Sequence, residues 1–174
     1  MKTIDAYLAN QLGFSETGKY VLERKIKPRL REIGLNVLDP FVECAKELNF
    51  SQLEKLTLYS DVMKFWSEFN HRIPEINNKL MQRSDCMLPI LDGGHAVDDG
   101  VASEIGYYAG LKRGPIFALR SDFRLSENLA STINPQILGY INLSGGKLIE
   151  GQHAMDKWFF AIKGWYDSFS RVQR

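Results

Sequence analysis

The stretch from Leu88 to Arg124, LPILDGGHAVDDGVASEIGYYAGLKRGPIFALRSDFR, constrains the fold of this chain more than any other part of it. An apolar run precedes a Gly-rich loop, a segment of helical spacing and a second apolar run, which is typical of a strand–helix–strand unit. Three acids, Asp92, Asp98 and Glu104, fall at the predicted strand end and helix start. Ligands of parallel α/β sheets bind at this edge, so these acids are candidate site residues.

Strands and helices alternate along the rest of the chain as well. We predict further strands at 3–9, 35–38, 86–91, 115–119 and 137–143, and helices at 16–33, 44–50, 53–70, 75–83 and 153–172. Pro28 is expected to kink the first helix, and Pro74 to open the helix before the third strand. The pattern predicts an α/β, doubly wound, flavodoxin-like or Rossmann-like fold, with a five-stranded parallel sheet, helices on both faces and a single domain over 1–174.

Three segments follow predicted strands and should meet at the carboxyl edge of the sheet, namely 7–11, 92–99 and 120–124. Large aromatic residues elsewhere are interpreted as packing residues. Trp66 and Phe69 are assigned to the core or an interface rather than to stacking on a ligand, and the aromatics of 153–172 to the core and subunit contacts.

Composition excludes several classes of partner. With 22 basic and 21 acidic residues, the net charge of +1 gives no electrostatic case for nucleic-acid or membrane-surface binding. No apolar stretch approaches the roughly 20 residues that span a bilayer, and the N-terminus lacks the apolar core of a signal peptide. We therefore expect a cytoplasmic location and no membrane association.

Cofactor and metal signals are absent from the sequence. The three histidines and two cysteines have no metal-ligand spacing, and there is no GxSxG, Walker A or GxGxxG pattern. We predict neither a metal nor a cofactor. Cys86 is interpreted as a small buried hydrophobe, and His95, in the central loop, has no assigned role.

Three interpretations of Asp92, Asp98 and Glu104 remain open on spacing alone. They could be a turn former, a helix cap and a dipole-stabilised acid. Alternatively, the three carboxylates could bind Mg²⁺, although the sequence has no phosphate loop to accompany it. In the third interpretation, one carboxylate attacks a sugar anomeric carbon while a second group protonates the leaving group.

Five pieces of the sequence match one family in the same order. They are Ile4-Asp5-Ala6-Tyr7-Leu8-Ala9, Leu91-Asp92-Gly93, the run DDGVASEIGY from Asp98 to Tyr107, Pro115-Ile116 with LRSDFR up to Arg124, and Asn134-Pro135-Gln136. This pattern resembles that of the nucleoside 2-deoxyribosyltransferases, a family with LDG, DxGxxxEiGyA and LR.D.R after a first strand ending in Tyr-Leu-Ala. The resemblance extends over the whole chain.

The resemblance implies a retaining, two-step glycosyl transfer between nucleobases. Glu104 corresponds to the nucleophile, which forms a covalent deoxyribosyl ester, and Tyr7 to a tyrosine that orients it. Asp92 corresponds to an acid that handles the proton on the base, and Asp98 to a second base-side or general-acid carboxylate.

The resemblance also implies how the substrate is held. Asn134 corresponds to a residue that reaches the 5′ end of the sugar from a neighbouring subunit, and Gly93 and Gly100 fall at substrate-binding positions. The expected partners are a nucleoside, a free nucleobase and further copies of the chain in a homo-oligomer that serves nucleotide salvage.

Two alternative functions remain. A sister branch of the family hydrolyses deoxynucleoside 5′-monophosphates and carries an Arg in the loop after the first strand, whereas this chain has no Arg between Tyr7 and Gly18. The missing Arg favours a nucleoside with a free 5′-hydroxyl as the substrate. An N-glycosidase acting on deoxynucleosides or their 5′-monophosphates is the first alternative function. A nucleotide-binding module without activity is the second.

Overall fold

The computed structural model describes residues 3–48, 50–94, 96–126 and 128–172, so His95 lies outside the described residues. The strands are β1 (Ile4–Tyr7), β2 (Leu35–Leu38), β3 (Cys86–Met87), β4 (Phe117–Arg120) and β5 (Lys147–Glu150). The α-helices are α1 (Glu16–Val21), α2 (Lys27–Ile33), α3 (Pro40–Glu47), α4 (Tyr59–Arg83), α5 (Asp99–Leu111), α6 (Pro135–Leu143) and α7 (Ala154–Val172).

The strands form a parallel sheet in the order β2-β1-β3-β4-β5. Strand β1 pairs with β2 and β3, and β4 pairs with β5. Parallel bridges from Met87 to Ile116 and from Ile90 to Leu119 join the two halves. This strand order is that of the flavodoxin-like doubly wound fold, and it confirms the predicted fold class. Its switch point lies between β1 and β3, where ligands of such sheets bind.

Helices cover both faces of the sheet, and the side chains of β1 alternate between them. Ile4, Ala6 and Leu8 pack into a core with the helical segments 16–33 and 154–172. Tyr7 and Ala9 point to the opposite face and pack with α3, α4, α5 and α6. A strand places successive side chains on opposite faces, so the register of β1 fixes Tyr7 on the α4–α5 side.

The predicted fifth strand at 137–143 is wrong, because that segment is helix α6. Asn134 caps this helix by accepting a hydrogen bond from the amide of Gln136, and Pro135 occupies its first turn. Ile137, Leu138 and Ile141 then recur with helical spacing and pack against the core. The fifth strand is instead Lys147–Glu150, after the turn at 144–145.

The predicted helix start at Pro74 is also wrong. Pro74 lies inside α4, which runs without interruption from Tyr59 to Arg83. A proline within a helix removes one backbone hydrogen bond. Here the burial of Ile76, Leu80 and Met81 against the core stabilises the helix and offsets the missing hydrogen bond.

The predicted helix 16–33 is confirmed in extent, with Ser15 as its cap and Gly34 as its left-handed end. Between α1 and α2 the chain makes a π-helical turn at Leu22–Ile26, which ends two residues before Pro28. Because Pro28 has no N–H, a local change in the hydrogen-bond ladder is expected there.

The π-helical turn is followed by Lys27, whose buried ammonium forms ion pairs with Asp39 and Glu23. Burial would lower the pKa of Lys27, but the hydrogen bonds to Asp39 and Glu23 outweigh burial and raise it. The ion pair between Lys27 and Asp39 links α2 to the start of α3.

Within the described residues, no helix is both long and apolar enough to cross a membrane.

Candidate active site

Three loops meet at the carboxyl edge of the sheet, as the sequence predicts. Asn10 forms a parallel bridge with Ile90, and the Gln11 side chain donates to the carbonyl of Asp92 at 3.0 Å. The Asp92 carboxylate accepts from the backbone amides of Ser121 (2.8 Å) and Asp122 (2.9 Å). The loops after β1, β3 and β4 are thus tied to one another.

Glu104 lies at the centre of this edge, on the second turn of α5. Its Oε1 accepts a hydrogen bond from the hydroxyl of Tyr7 at 2.7 Å. The same oxygen accepts a second hydrogen bond from the side-chain amide of Asn77 at 3.1 Å. Strand β1, helix α4 and helix α5 each contribute one of these side chains, so the sheet and both helices fix the carboxylate.

The pKa of Glu104 is raised from its ordinary 4.5 to about 7. Burial is the largest cause, and the neighbouring negative charge of Asp98 adds to it, whereas the hydrogen bonds from Tyr7 and Asn77 act in the opposite direction. Burial, together with the charge of Glu104, also raises the pKa of Tyr7, which therefore stays a neutral hydrogen-bond donor. A carboxyl group that titrates near neutral pH in a concave site is a candidate for catalysis.

Asp98 and Asp92 occupy different positions around Glu104. Asp98 caps α5 by accepting from the amide of Val101 at 3.0 Å, and its side chain also lines the cavity next to Glu104. Asp98 is therefore both a helix cap, as the first interpretation of the three acids predicts, and a residue of the cavity wall. Asp92 lies outside the residues that line this cavity, and its hydrogen bonds hold the loop after β4.

A cavity of about 440 Å³ opens beside Glu104, which is within the size range of small-molecule sites. Its wall is predominantly apolar and aromatic, and among the described residues no Lys or Arg lines it. The lining residues are Asn10, Phe14, Pro40, Phe41, Cys44, Ala45, Phe50, Trp66, Phe69, Ile73, Asn77, Asp98, Gly100, Val101 and Glu104.

Trp66 and Phe69 pack together edge to face, with ring centroids 5.2 Å apart. Phe69 also contacts the core, but both rings line the cavity. The prediction that they are packing residues is thus incomplete, because both side chains also form part of the cavity wall.

A second groove of about 380 Å³ lies between α4 and α5 and also reaches Glu104.

The three residues predicted to bind the substrate lie in different parts of the structure. Gly93 has a φ of +115°, a conformation that favours glycine, and it lies against the Gln11 side chain. Gly100 is in the first turn of α5 and lines both concavities. Asn134 is exposed at the start of α6 and does not line the cavity of its own chain.

Two contributors to the site were not found from the sequence, Asn77 and Cys44. The signal for Asn77 was available, because it is a polar residue on the face of α4 that otherwise carries Ile73, Ile76 and Leu80. Cys44 gave no comparable signal. Among the residues that the structure describes, no group of three or more His, Cys, Asp or Glu side chains could hold a metal ion.

A comparison with models of protein families identifies the family of this chain. The model of the family described as Nucleoside 2-deoxyribosyltransferase matches residues 6–150. The chain belongs to the nucleoside 2-deoxyribosyltransferase family. Membership of this family supports a pentosyltransferase enzyme. A search of curated proteins finds no match to the sequence.

Two solved structures are similar to this member of the deoxyribosyltransferase family. One is a 2-deoxyribosyltransferase from Bacillus psychrosaccharolyticus, with 18% identity, a TM-score of 0.57, and coverage of 88% of this chain and 90% of that one. The other is a 2-deoxyribosyltransferase from Leishmania mexicana, with 16% identity, a TM-score of 0.49, and coverage of 77% and 85%. The first similarity supports the fold.

Proposed function

We propose that this protein moves 2-deoxyribose from one nucleobase to another through a covalent deoxyribosyl ester on Glu104. A Glu104 oxygen bonds to C1′ as the C1′–N bond breaks, and the electron pair of that bond leaves on the base nitrogen. The departing base gains one proton. A second base then attacks C1′, releases Glu104 and loses its own proton, so two inversions give overall retention.

The observation that carries the proposal is the pair of hydrogen bonds that fix Glu104 at the wall of an aromatic cavity. A nucleophile must be held at a set distance and angle from the reacting carbon, and two donors on one carboxylate oxygen restrict its rotation. The raised pKa of about 7 leaves a substantial ionised fraction at neutral pH. Glu104 can therefore attack C1′ without the aid of a separate base.

We assign the proton transfer at the departing base to Asp98, which lines the same cavity and is close enough to raise the pKa of Glu104. Only one hydrogen bond, from the amide of Val101, engages its carboxylate among the described residues. We assign Asp92 to the base side of the site. Its carboxylate accepts three donors from Ser121 and Asp122 and so also holds the loop after β4.

The character of the cavity supports a neutral nucleoside rather than a 5′-monophosphate as the substrate. A phosphate group requires cationic side chains or clustered backbone amides, and the described lining contains no Lys or Arg. The rings of Phe41, Trp66 and Phe69 suit the flat face of a nucleobase, because aromatic side chains stack on bases. We place the base against this wall and the sugar beside Glu104.

We further propose that the enzyme is a homo-oligomer in which Asn134 of a second copy completes the sugar site. The exposed position of Asn134, outside the cavity of its own chain, supports this assignment. Water can attack the same ester, so slow hydrolysis is expected as a side reaction. A role in nucleotide salvage in the cytoplasm fits these substrates.

The proposal is tested with four deoxynucleosides, their 5′-monophosphates and their ribo forms, each incubated with and without a different free base and separated by chromatography. We expect the exchanged deoxynucleoside as the main product. Release of free base and sugar at high acceptor concentration, without exchange, would instead identify an N-glycosidase. Binding without turnover across the panel would identify a module without activity.

A further inference from the structure

The hydrogen bonds that described residues donate to the Glu104 carboxylate all reach the same one of its two oxygens. Tyr7 and Asn77 both donate to Oε1, at 2.7 and 3.1 Å. Among the described residues, none donates to Oε2. The two oxygens are therefore not equivalent, since one is committed to the protein and the other remains available to a ligand.

The donor from Asn77 is itself oriented by a second side chain. The sulfur of Cys44 lies 3.7 Å from Oδ1 of Asn77, and a thiol donates to an amide oxygen. Burial raises the pKa of Cys44 to about 11, followed by the charges of Glu47 and Glu104, so the S–H is retained at neutral pH. With Oδ1 of Asn77 turned to the thiol, its Nδ2 must face Glu104.

The opposite orientation of the Asn77 amide is unfavourable. It would place Oδ1 of Asn77 against Oε1 of Glu104, with two acceptors in contact, and the NH₂ group against a weak acceptor, the sulfur of Cys44. The thiol thus selects the amide orientation that stabilises the carboxylate. Cys44 comes from α3 and Asn77 from α4, and both side chains line the cavity beside Glu104.

We propose that Cys44 and Asn77 are positioning residues which, together with Tyr7, hold Glu104 by Oε1 and leave Oε2 as the oxygen that bonds to C1′. The role of Oε2 rests on the proposed function, whereas the relay from Cys44 through Asn77 to Glu104 rests on contacts alone. Titratable groups face Glu104 from three elements: Tyr7 on β1, Cys44 on α3 and Asp98 at the start of α5. Asp39, which caps the start of α3, contributes a negative charge that raises the pKa of both Tyr7 and Cys44.

The test compares Asn77→Ala, Cys44→Ala, the double variant and Cys44→Ser with the wild type. Asn70→Ala, the same change at an exposed position of α4, is the control. Loss of a hydrogen bond to a charged group should lower kcat/KM about 10- to 100-fold in Asn77→Ala. Its acid limb should move to higher pH, because the Asn77 donor lowers the pKa of Glu104.

Cys44→Ala should lower kcat/KM a few-fold and shift the acid limb in the same direction, while Cys44→Ser, which keeps a donor, should resemble the wild type. The Cys44→Ala change should have no further effect in Asn77→Ala, because the relay is already broken. Full additivity of the two changes would overturn the relay.

A second readout is independent of turnover. Glu104 is titrated by NMR in protein carrying ¹³C-labelled glutamate, and Asn77→Ala should titrate at higher pH than the wild type and the Asn70→Ala control. An unchanged titration in Asn77→Ala would overturn the positioning role even if exchange proceeds. Absence of exchange in the wild type would refute the proposed function and the role of Oε2, and the titration would then decide the relay alone.

Discussion

The hydroxyl of Tyr7 and the carboxylate of Glu104 are 97 positions apart in the sequence and 2.7 Å apart in the structure. Strand β1 places Tyr7 on the α4–α5 face of the sheet, and α5 begins directly after the Gly-rich loop, which brings Glu104 over that strand. The contact crosses the switch point between β1 and β3, where the fold leaves space for a ligand. The fold itself therefore places the candidate nucleophile at the binding edge.

Tyr7→Phe should lower kcat/KM about 10- to 100-fold at pH 7, because it removes a hydrogen bond to a charged group without changing the packing volume. The hydrogen bond from Tyr7 lowers the pKa of Glu104, so its loss should move the acid limb of the pH profile to higher values than about 7. Steady-state kinetics between pH 5 and 9 provide the measurement.

Tyr108→Phe is the matched control for this change. Tyr108 is also fully buried, but its hydroxyl donates to the backbone carbonyl of Ser84 rather than to Glu104. Loss of the Tyr108 hydroxyl should lower the free energy of unfolding and leave the midpoint of the acid limb of the pH profile unchanged. A similar shift in both variants would mean that Tyr7 acts through general packing.

Up to residue 120, the order of strands and helices could be predicted wherever apolar runs, turn residues and caps agree. The exception is α4, a single helix where two helices were predicted at 53–70 and 75–83. Ser15, Gly34 and the strand at 35–38 lie where their local chemistry indicates. The segment 137–143 was misassigned because its apolar residues suit either a strand or a helix. Asn134 as a helix cap and Pro135 in the first turn favour a helix, but the prediction gave more weight to the apolar run.

The site was predictable only in part. Asp98 caps the helix that carries Glu104, so both residues are expected at the same end of α5, and Tyr7 was paired with them through the family resemblance. Asn77 and Cys44 reach Glu104 from α4 and α3, whose packing depends on side-chain contacts between helices. Local periodicity carries no information on which helices meet, and that is why these residues were missed.

Trp66→Ala should raise KM for the nucleoside about 5- to 150-fold and change kcat little, because stacking contributes roughly 1–3 kcal/mol per base. The wall binds the base both before and during the reaction, so its loss should affect binding more than the chemical step. Tyr59→Ala, on the same helix at an exposed position outside the cavity, is the control. A large fall in kcat for Trp66→Ala would contradict a role limited to binding.

Glu104→Gln should abolish exchange and also stabilise the protein at alkaline pH. The pKa of Glu104 is about 7 when folded and near its ordinary 4.5 when unfolded. The folded state therefore binds more protons between these values, and stability falls as pH rises through that window. Removing the carboxylate should increase the free energy of unfolding by about 1–3 kcal/mol at pH 8 relative to its effect at pH 5.

Urea denaturation of Glu104→Gln and wild type at both pH values measures this effect. Glu32→Gln, an exposed glutamate on α2, should show no such pH-dependent gain. An equal change in stability at pH 5 and pH 8 would contradict a raised pKa in the folded protein.

Asp39→Asn should destabilise the fold by about 3 kcal/mol, because it leaves the buried ammonium of Lys27 without its buried partner. Asparagine can still accept the amide hydrogen bond that Asp39 takes from Phe41, so the change isolates the charge. The double variant Lys27→Met with Asp39→Asn should recover much of the loss. Denaturation curves of Asp39→Asn, Lys27→Met and the double variant give the three free energies of unfolding. If the losses of the two single variants simply add in the double variant, the ion pair does not stabilise the fold.

The proposed contribution of Asn134 from a second copy predicts complementation between two defective variants. Glu104→Ala and Asn134→Ala should each be impaired alone, and co-expressed chains should form mixed dimers with one intact site. In mixed dimers isolated through two different tags, one of the two sites is intact, so activity should recover to about half of the wild-type value. Analytical ultracentrifugation of the wild type establishes the assembly, and exchange assays on co-purified, differently tagged chains measure the recovery. Mixed dimers that recover no activity would place Asn134 outside the partner's site or in the site of its own chain.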